Sequence, residues 1–71
     1  MGKIHAPYKR FKGWLRENSL TYADVAKILG ITTATVSSKV NGHSDFSLSE
    51  INLLRRTYHL ESNIFFADYV A

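Results

Sequence analysis

The chain has 71 residues, with no cysteine, one proline and four glycines, and 45% of it is hydrophobic. A chain of that size buries only about 60% of the surface its unfolded form exposes, so there is little room for a lined catalytic cavity, and a binding module is expected in place of an enzyme. The missing cysteines exclude disulfides and thiolate metal sites, and the histidines at 5, 43 and 59 are too scattered for a metal centre; no cofactor is expected.

The charges are unevenly placed. Residues 1–16 carry Lys3, Lys9, Arg10, Lys12 and Arg16 without an acid, a local +5, while from Glu17 onward four basic residues face six acids, a local −2. Residues 1–6 read as a basic flexible arm. No apolar run approaches the roughly 18 residues of a membrane span, and the start lacks a signal-peptide core. Ala6 stands where an N-myristoylation start wants Ser or Thr. A soluble, cytoplasmic protein is expected.

Pro7 suits the first turn of a helix, where its missing N–H would be unpaired anyway, and the first helix is predicted from Pro7 to Glu17. Tyr8, Phe11 and Leu15 recur at helical spacing and are assigned to the core. Gly13 weakens this helix by about 1 kcal/mol relative to Ala. Thr21 followed by Asp24 resembles a capping box for a second helix, Tyr22 to Leu29, with Val25, Ala26 and Leu29 on one face. Gly30 supplies the positive φ of a sharp stop.

Thr32 is the predicted N-cap of a third helix running to Asn41, with Val36 and Val40 inward and Thr33, Ala34, Thr35, Ser37, Ser38 and Lys39 outward. Asn41-Gly42 marks its end. Ser47-Leu48-Ser49-Glu50 is a full capping box for a fourth helix, Leu48 to Tyr58, burying Leu48, Ile51, Leu54 and Tyr58. Leu60 anchors the next turn, and a fifth helix is predicted from Ser62 to Asp68. The fold expected is all-α, a single domain built as a compact bundle of about five short helices. Residues 22–42 form a helix, a tight turn and a second helix, the outline of a helix-turn-helix.

The spacing Ala26, Gly30, Ile31, Val36, then Asn41-Gly42, then Ser47-Leu48-Ser49-Glu50-Ile51 resembles the lambda-repressor-like helix-turn-helix family, the Cro and repressor proteins of temperate phages, over residues 8–68. The likeness is greatest to small Cro-type switch proteins of phages of Gram-positive bacteria, including those called modulator of repression. The resemblance implies a bacterial host cell and a role in the lysis/lysogeny switch. It places Thr32, Thr33, Ala34, Thr35, Ser38 and Lys39 at the base-reading helix. It places Thr21, Tyr22, Asn41, His43 and Ser44 at phosphates, and the basic arm and first helix add Lys9, Arg10 and Lys12. Two positions depart from the pattern: Tyr22 stands where Gln is common, and Val40 where a Glu often pairs with an Arg of the first helix.

The predicted reading helix is chemically sparse. Base discrimination rests on Arg or Lys at guanine and Asn or Gln at adenine, each worth about 1–3 kcal/mol; Thr33, Ala34, Thr35, Ser37 and Ser38 offer none of these. Two functions therefore stay open. One is a regulator binding double-stranded operator DNA, as a homodimer on half-sites. The other is an antirepressor that binds a phage repressor protein. Phe66, Tyr69 and Val70, within 62–71, are the candidates for a dimer or partner contact beyond the core.

Overall fold

Four helices follow one another: α1 from Lys9 to Glu17, α2 from Tyr22 to Leu29, α3 from Thr33 to Asn41 and α4 from Leu48 to Tyr58. The structure, a computed structural model, describes residues 3–61 and 63–65. No strand occurs among the described residues, and the fold is a small all-helical bundle in which α2 lies against both α3 and α4.

Local chemistry sets most helix ends. At α2, Thr21 accepts the Asp24 N–H while the Asp24 carboxylate accepts the Thr21 N–H at 2.8 Å, the reciprocal pair expected of a capping box. Ser47 and Glu50 repeat it at α4. Thr32 caps α3 by accepting the Thr35 N–H at 3.1 Å. Gly30 and Gly42 close α2 and α3 in the left-handed region at φ 70 and 98. His59 closes α4 in the same region at φ 55 without being glycine, and the Leu60 N–H then reaches the Arg55 carbonyl at 3.0 Å.

The first helix starts two residues later than predicted. Tyr8 is its N-cap, with ψ 78, and the Tyr8 N–H donates to the Val40 carbonyl at 3.0 Å. A long-range bond to α3 thus fixes the backbone that Pro7 alone would have let enter the helix. The expected flexible arm is likewise docked where it is described. The Ile4 N–H donates to the Gly42 carbonyl at 2.7 Å, and the His5 ring meets the Ser44 carbonyl at 2.8 Å and stacks on Tyr8 at 4.4 Å. His5 is half-buried.

Of the core assignments for α1 to α3, Tyr8, Phe11, Leu15, Val25, Ala26, Val36 and Val40 are buried, while Leu29 is partly buried against the core. In α4, Leu54 is fully buried and Ile51 and Tyr58 are partly buried against the core, but Leu48 is 74% exposed. Phe46, two residues earlier, takes the inward place instead, its ring 6.4 Å from Phe11 and 5.6 Å from Phe65. A first-turn leucine flanking a cap has no core beneath it when the preceding loop already fills the space. The predicted fifth helix is not seen where residues are described: 63–65 form a turn that buries Ile64 and Phe65, and Phe65 packs 4.7 Å from Phe11. Residues 66–71, with Phe66, Tyr69 and Val70, lie outside the described residues.

Candidate nucleic-acid interface

The outward face of α3 is narrower than its sequence suggests. Thr32, Thr33 and Ala34 are exposed, whereas Thr35, Ser37, Ser38 and Lys39 are half-buried. Their polar atoms are largely engaged within the chain. The Thr32 and Thr35 hydroxyls share a hydrogen bond of 2.7 Å, those of Ser38 and Ser44 one of 3.2 Å, and the Ser37 carbonyl accepts from Asn41 at 2.8 Å. Lys39 donates to Glu50 at 2.7 Å, with each side chain 17% exposed, and lies 5.9 Å from the Phe46 ring centre. Burial pushes the Glu50 carboxyl up, but the bonds from Lys39 and Ser47 outweigh it and hold the group below its ordinary 4.5. The one long cation of α3 is thus tied to the first turn of α4.

A second group forms where α1, the start of α2 and the end of α3 meet. Lys12 donates to the Asn41 side-chain carbonyl at 3.2 Å, and the Tyr22 hydroxyl bonds to the same residue. Burial raises the Tyr22 pKa above its ordinary 10.0, more than the Asn41 bond lowers it, so at neutral pH the phenol keeps its proton and can donate. An open groove of about 300 Å³ runs here, lined by Lys12, Leu15, Arg16, Leu20, Thr21 and Tyr22. The start of α2 borders this groove through Thr21 and Tyr22, and the Asp24 N–H there is already taken by the Thr21 hydroxyl. Asp24 competes for that position: the Thr21 backbone and side-chain bonds pull its carboxyl below the ordinary 3.8.

The structure therefore gathers Lys12, Thr21, Tyr22 and Asn41 from the sequence-predicted set. It adds Arg16, which was not singled out as a contact, although spacing of four residues from Lys12 on one helix was the available signal. Arg10 belongs to a different groove, of about 520 Å³, with Gly13, Trp14, Glu17, His59, Leu60, Glu61 and Ile64. Lys9 is exposed on α1. His43 is exposed in the loop after α3, and Ser44 beside it is half-buried, its carbonyl facing His5. Among the described residues no three His, Asp or Glu side chains gather as metal ligands would, and no helix is long and apolar enough to cross a membrane.

A family model described as the BetR domain matches residues 12–70. No curated protein and no solved structure matches the chain. The match spans α1 from Lys12 to beyond Phe65, and the chain belongs to the BetR domain family, small helical domains associated with phage regulators.

Proposed function

We propose that this BetR-domain chain is a phage-type transcriptional regulator of the lysis/lysogeny switch that binds operator DNA, with the first turn of α3 in the major groove. The observation that carries the reading is the convergence of Lys12, Arg16, Thr21 and Tyr22 on one open groove at the start of α2, with Asn41 of α3 bonded to both Lys12 and Tyr22. Cations and a phenolic donor at the start of a helix are the chemistry that holds a phosphate and sets the register of a reading helix. The exposed Thr32, Thr33 and Ala34 then offer hydroxyl and methyl contacts, which suit thymine methyls and give modest discrimination.

A second reading is supported by the state of α3 itself. Its long cation is spent on Glu50, and the Thr35 and Ser38 hydroxyls are bonded within the chain. Such a surface is smooth and poor in base readers, and it suits a protein partner such as a phage repressor, in the manner of an antirepressor.

One experiment separates the two. The chain is titrated by fluorescence anisotropy against duplexes from the region upstream of its own coding sequence and against a scrambled duplex, at two salt concentrations. DNA binding gives log K falling with log salt at a slope of about −0.9 per phosphate neutralised. No binding to either duplex at low salt overturns the first reading. Co-elution with a phage repressor, with loss of that repressor's operator binding, would establish the second.

A further inference from the structure

His5 sits between the segment that precedes α1 and the turn that ends α3, with both of its ring nitrogens engaged. Nδ1 lies 2.7 Å from the Ala6 carbonyl oxygen, and Nε2 lies 2.8 Å from the Ser44 carbonyl oxygen. With the side chain only 13% exposed, these two carbonyls are the ring's main partners. The same segment is held through its backbone, since the Ile4 and His5 N–H groups both donate to the Gly42 carbonyl.

A carbonyl oxygen only accepts, so each ring nitrogen must donate for both contacts to be hydrogen bonds. Neutral imidazole carries one N–H, and in either tautomer the other nitrogen would turn its lone pair on a carbonyl oxygen at 2.7 or 2.8 Å. Only the imidazolium donates from both sides, and both separations are those of charge-assisted bonds. The surroundings suit a cation. Asp45 Oδ1 is 3.5 Å from Nε2, and the ring lies against the Tyr8 ring at 4.4 Å. That carboxylate oxygen also accepts the Tyr8 hydroxyl and the Phe46 N–H, which fix its position. Asp45 and Tyr8 are the titratable groups that face the ring among the described residues, and Lys3 and His43 flank the contact along the chain.

We propose that His5 is a proton-operated latch: as the imidazolium it clips the segment before α1 onto the turn after α3, and on losing its proton it lets that segment go. The docked form holds a proton that the released form gives up above histidine's ordinary range, about 6.5. Docking is therefore favoured in mild acid and is lost as pH rises. The grip extends to α3, because Ser44, whose carbonyl His5 holds, bonds through its hydroxyl to Ser38 at 3.2 Å. None of these residues lines the groove beside Tyr22, so the latch and the DNA reading fail separately.

The test is an NMR titration of the full chain between about pH 5.5 and about pH 8.5, which brackets the range in which histidine changes charge. Ring nitrogen shifts give the protonation state of His5, with His43 and His59 as references in the same spectra. Nuclear Overhauser contacts between the His5 and Tyr8 ring carbon-bound protons, which do not exchange with water, report docking. The expected result is a doubly protonated His5 ring in contact with Tyr8 at the acid end, and loss of that contact in step with the His5 titration. The docking equilibrium should weaken at least about tenfold across that titration, the scale of one lost hydrogen bond to a charged group. H5Q has no titrating ring and should abolish the pH response of the Ile4 amide, and D45N should move the loss of docking to lower pH. A neutral His5 ring still in contact with Tyr8, or an Ile4 response that persists in H5Q or follows His43 in place of His5, would each overturn the proposal.

Discussion

Gly42 and His5 touch through their backbones. The Gly42 carbonyl accepts the Ile4 N–H at 2.7 Å, and a Cβ on Gly42 would stand 2.0 Å from the His5 carbonyl oxygen. The turn that ends α3 and the segment that precedes α1 are thus joined at a contact only glycine allows, at φ 98.

Gly42→Ala should therefore cost more than Gly30→Ala. Gly30 has φ 70 and nothing within 4 Å of its would-be Cβ, so its substitution carries only the left-handed strain of about 1–2 kcal/mol. At Gly42 the same strain is joined by a clash with backbone, which is relieved only by undocking residues 3–5. Thermal unfolding should rank the two variants in that order. Amide exchange at Ile4 should rise in Gly42→Ala and stay unchanged in Gly30→Ala; equal midpoints with Ile4 still protected would refute the contact.

Leu54 and Leu48 belong to one helix and should behave oppositely. Leu54→Ala removes a fully buried side chain and should cost about 2–5 kcal/mol, enough to unfold much of a domain this small. Leu48→Ser, at a position 74% exposed, should change stability by no more than about 0.5 kcal/mol. Urea midpoints measure both. A large loss from Leu48→Ser would mean that the leucine is covered in solution.

Acid should weaken the fold through Glu50 and Asp24. Both carboxyls sit below their ordinary values of 4.5 and 3.8 in the folded chain. A depressed folded pKa contributes stability that is present above the unfolded value and is lost as pH falls through the folded one. Stability should thus decline as pH drops below about 4.5, and Glu50→Gln should flatten part of that decline while lowering stability at neutral pH. At the alkaline end, burial raises Tyr58, assisted by the Asp24 charge, and burial also raises Tyr22. That contribution is present below the ordinary 10.0 and is lost above it. Urea unfolding across pH reads both limbs, and an unchanged acid limb in Glu50→Gln would contradict the Lys39–Glu50 link.

Under the proposed DNA reading, Lys12→Ala and Tyr22→Phe should act alike on every sequence. Both remove groups from the groove at the start of α2, so affinity should fall on every sequence without loss of discrimination for either, and Lys12→Ala should reduce the salt slope by about one. Thr33→Ala, in the exposed first turn of α3, should instead change the ratio between two duplexes. Anisotropy with a matched and a scrambled duplex separates these effects. A Lys12→Ala variant with unaltered salt dependence would remove that residue from the interface.

Four helices and most of their ends were legible in the residues, whereas the start of α1 and the turn at 63–65 were not. Thr21 with Asp24, Ser47 with Glu50, and Gly30 and Gly42 each act within three or four positions, so their hydrogen bonds and φ values are decided locally. The 3.6-residue spacing likewise marked Phe11, Leu15, Val36, Val40 and Leu54 as inward. Other features required the helices to be placed against one another: the docking of residues 4 and 5 on the Gly42–Ser44 turn, Phe46 taking the space expected of Leu48, Lys39 bound to Glu50, and Asn41 joined to both Lys12 and Tyr22. Each links residues whose meeting depends on how helix faces and loops share a limited interior. Sequence by itself determined an all-helical domain with a capped helix, tight turn and helix at its centre. Only the tertiary structure decided which polar side chains on that unit remain free to meet a ligand, because a hydrogen bond made across the fold withdraws a donor that the sequence alone counts as available.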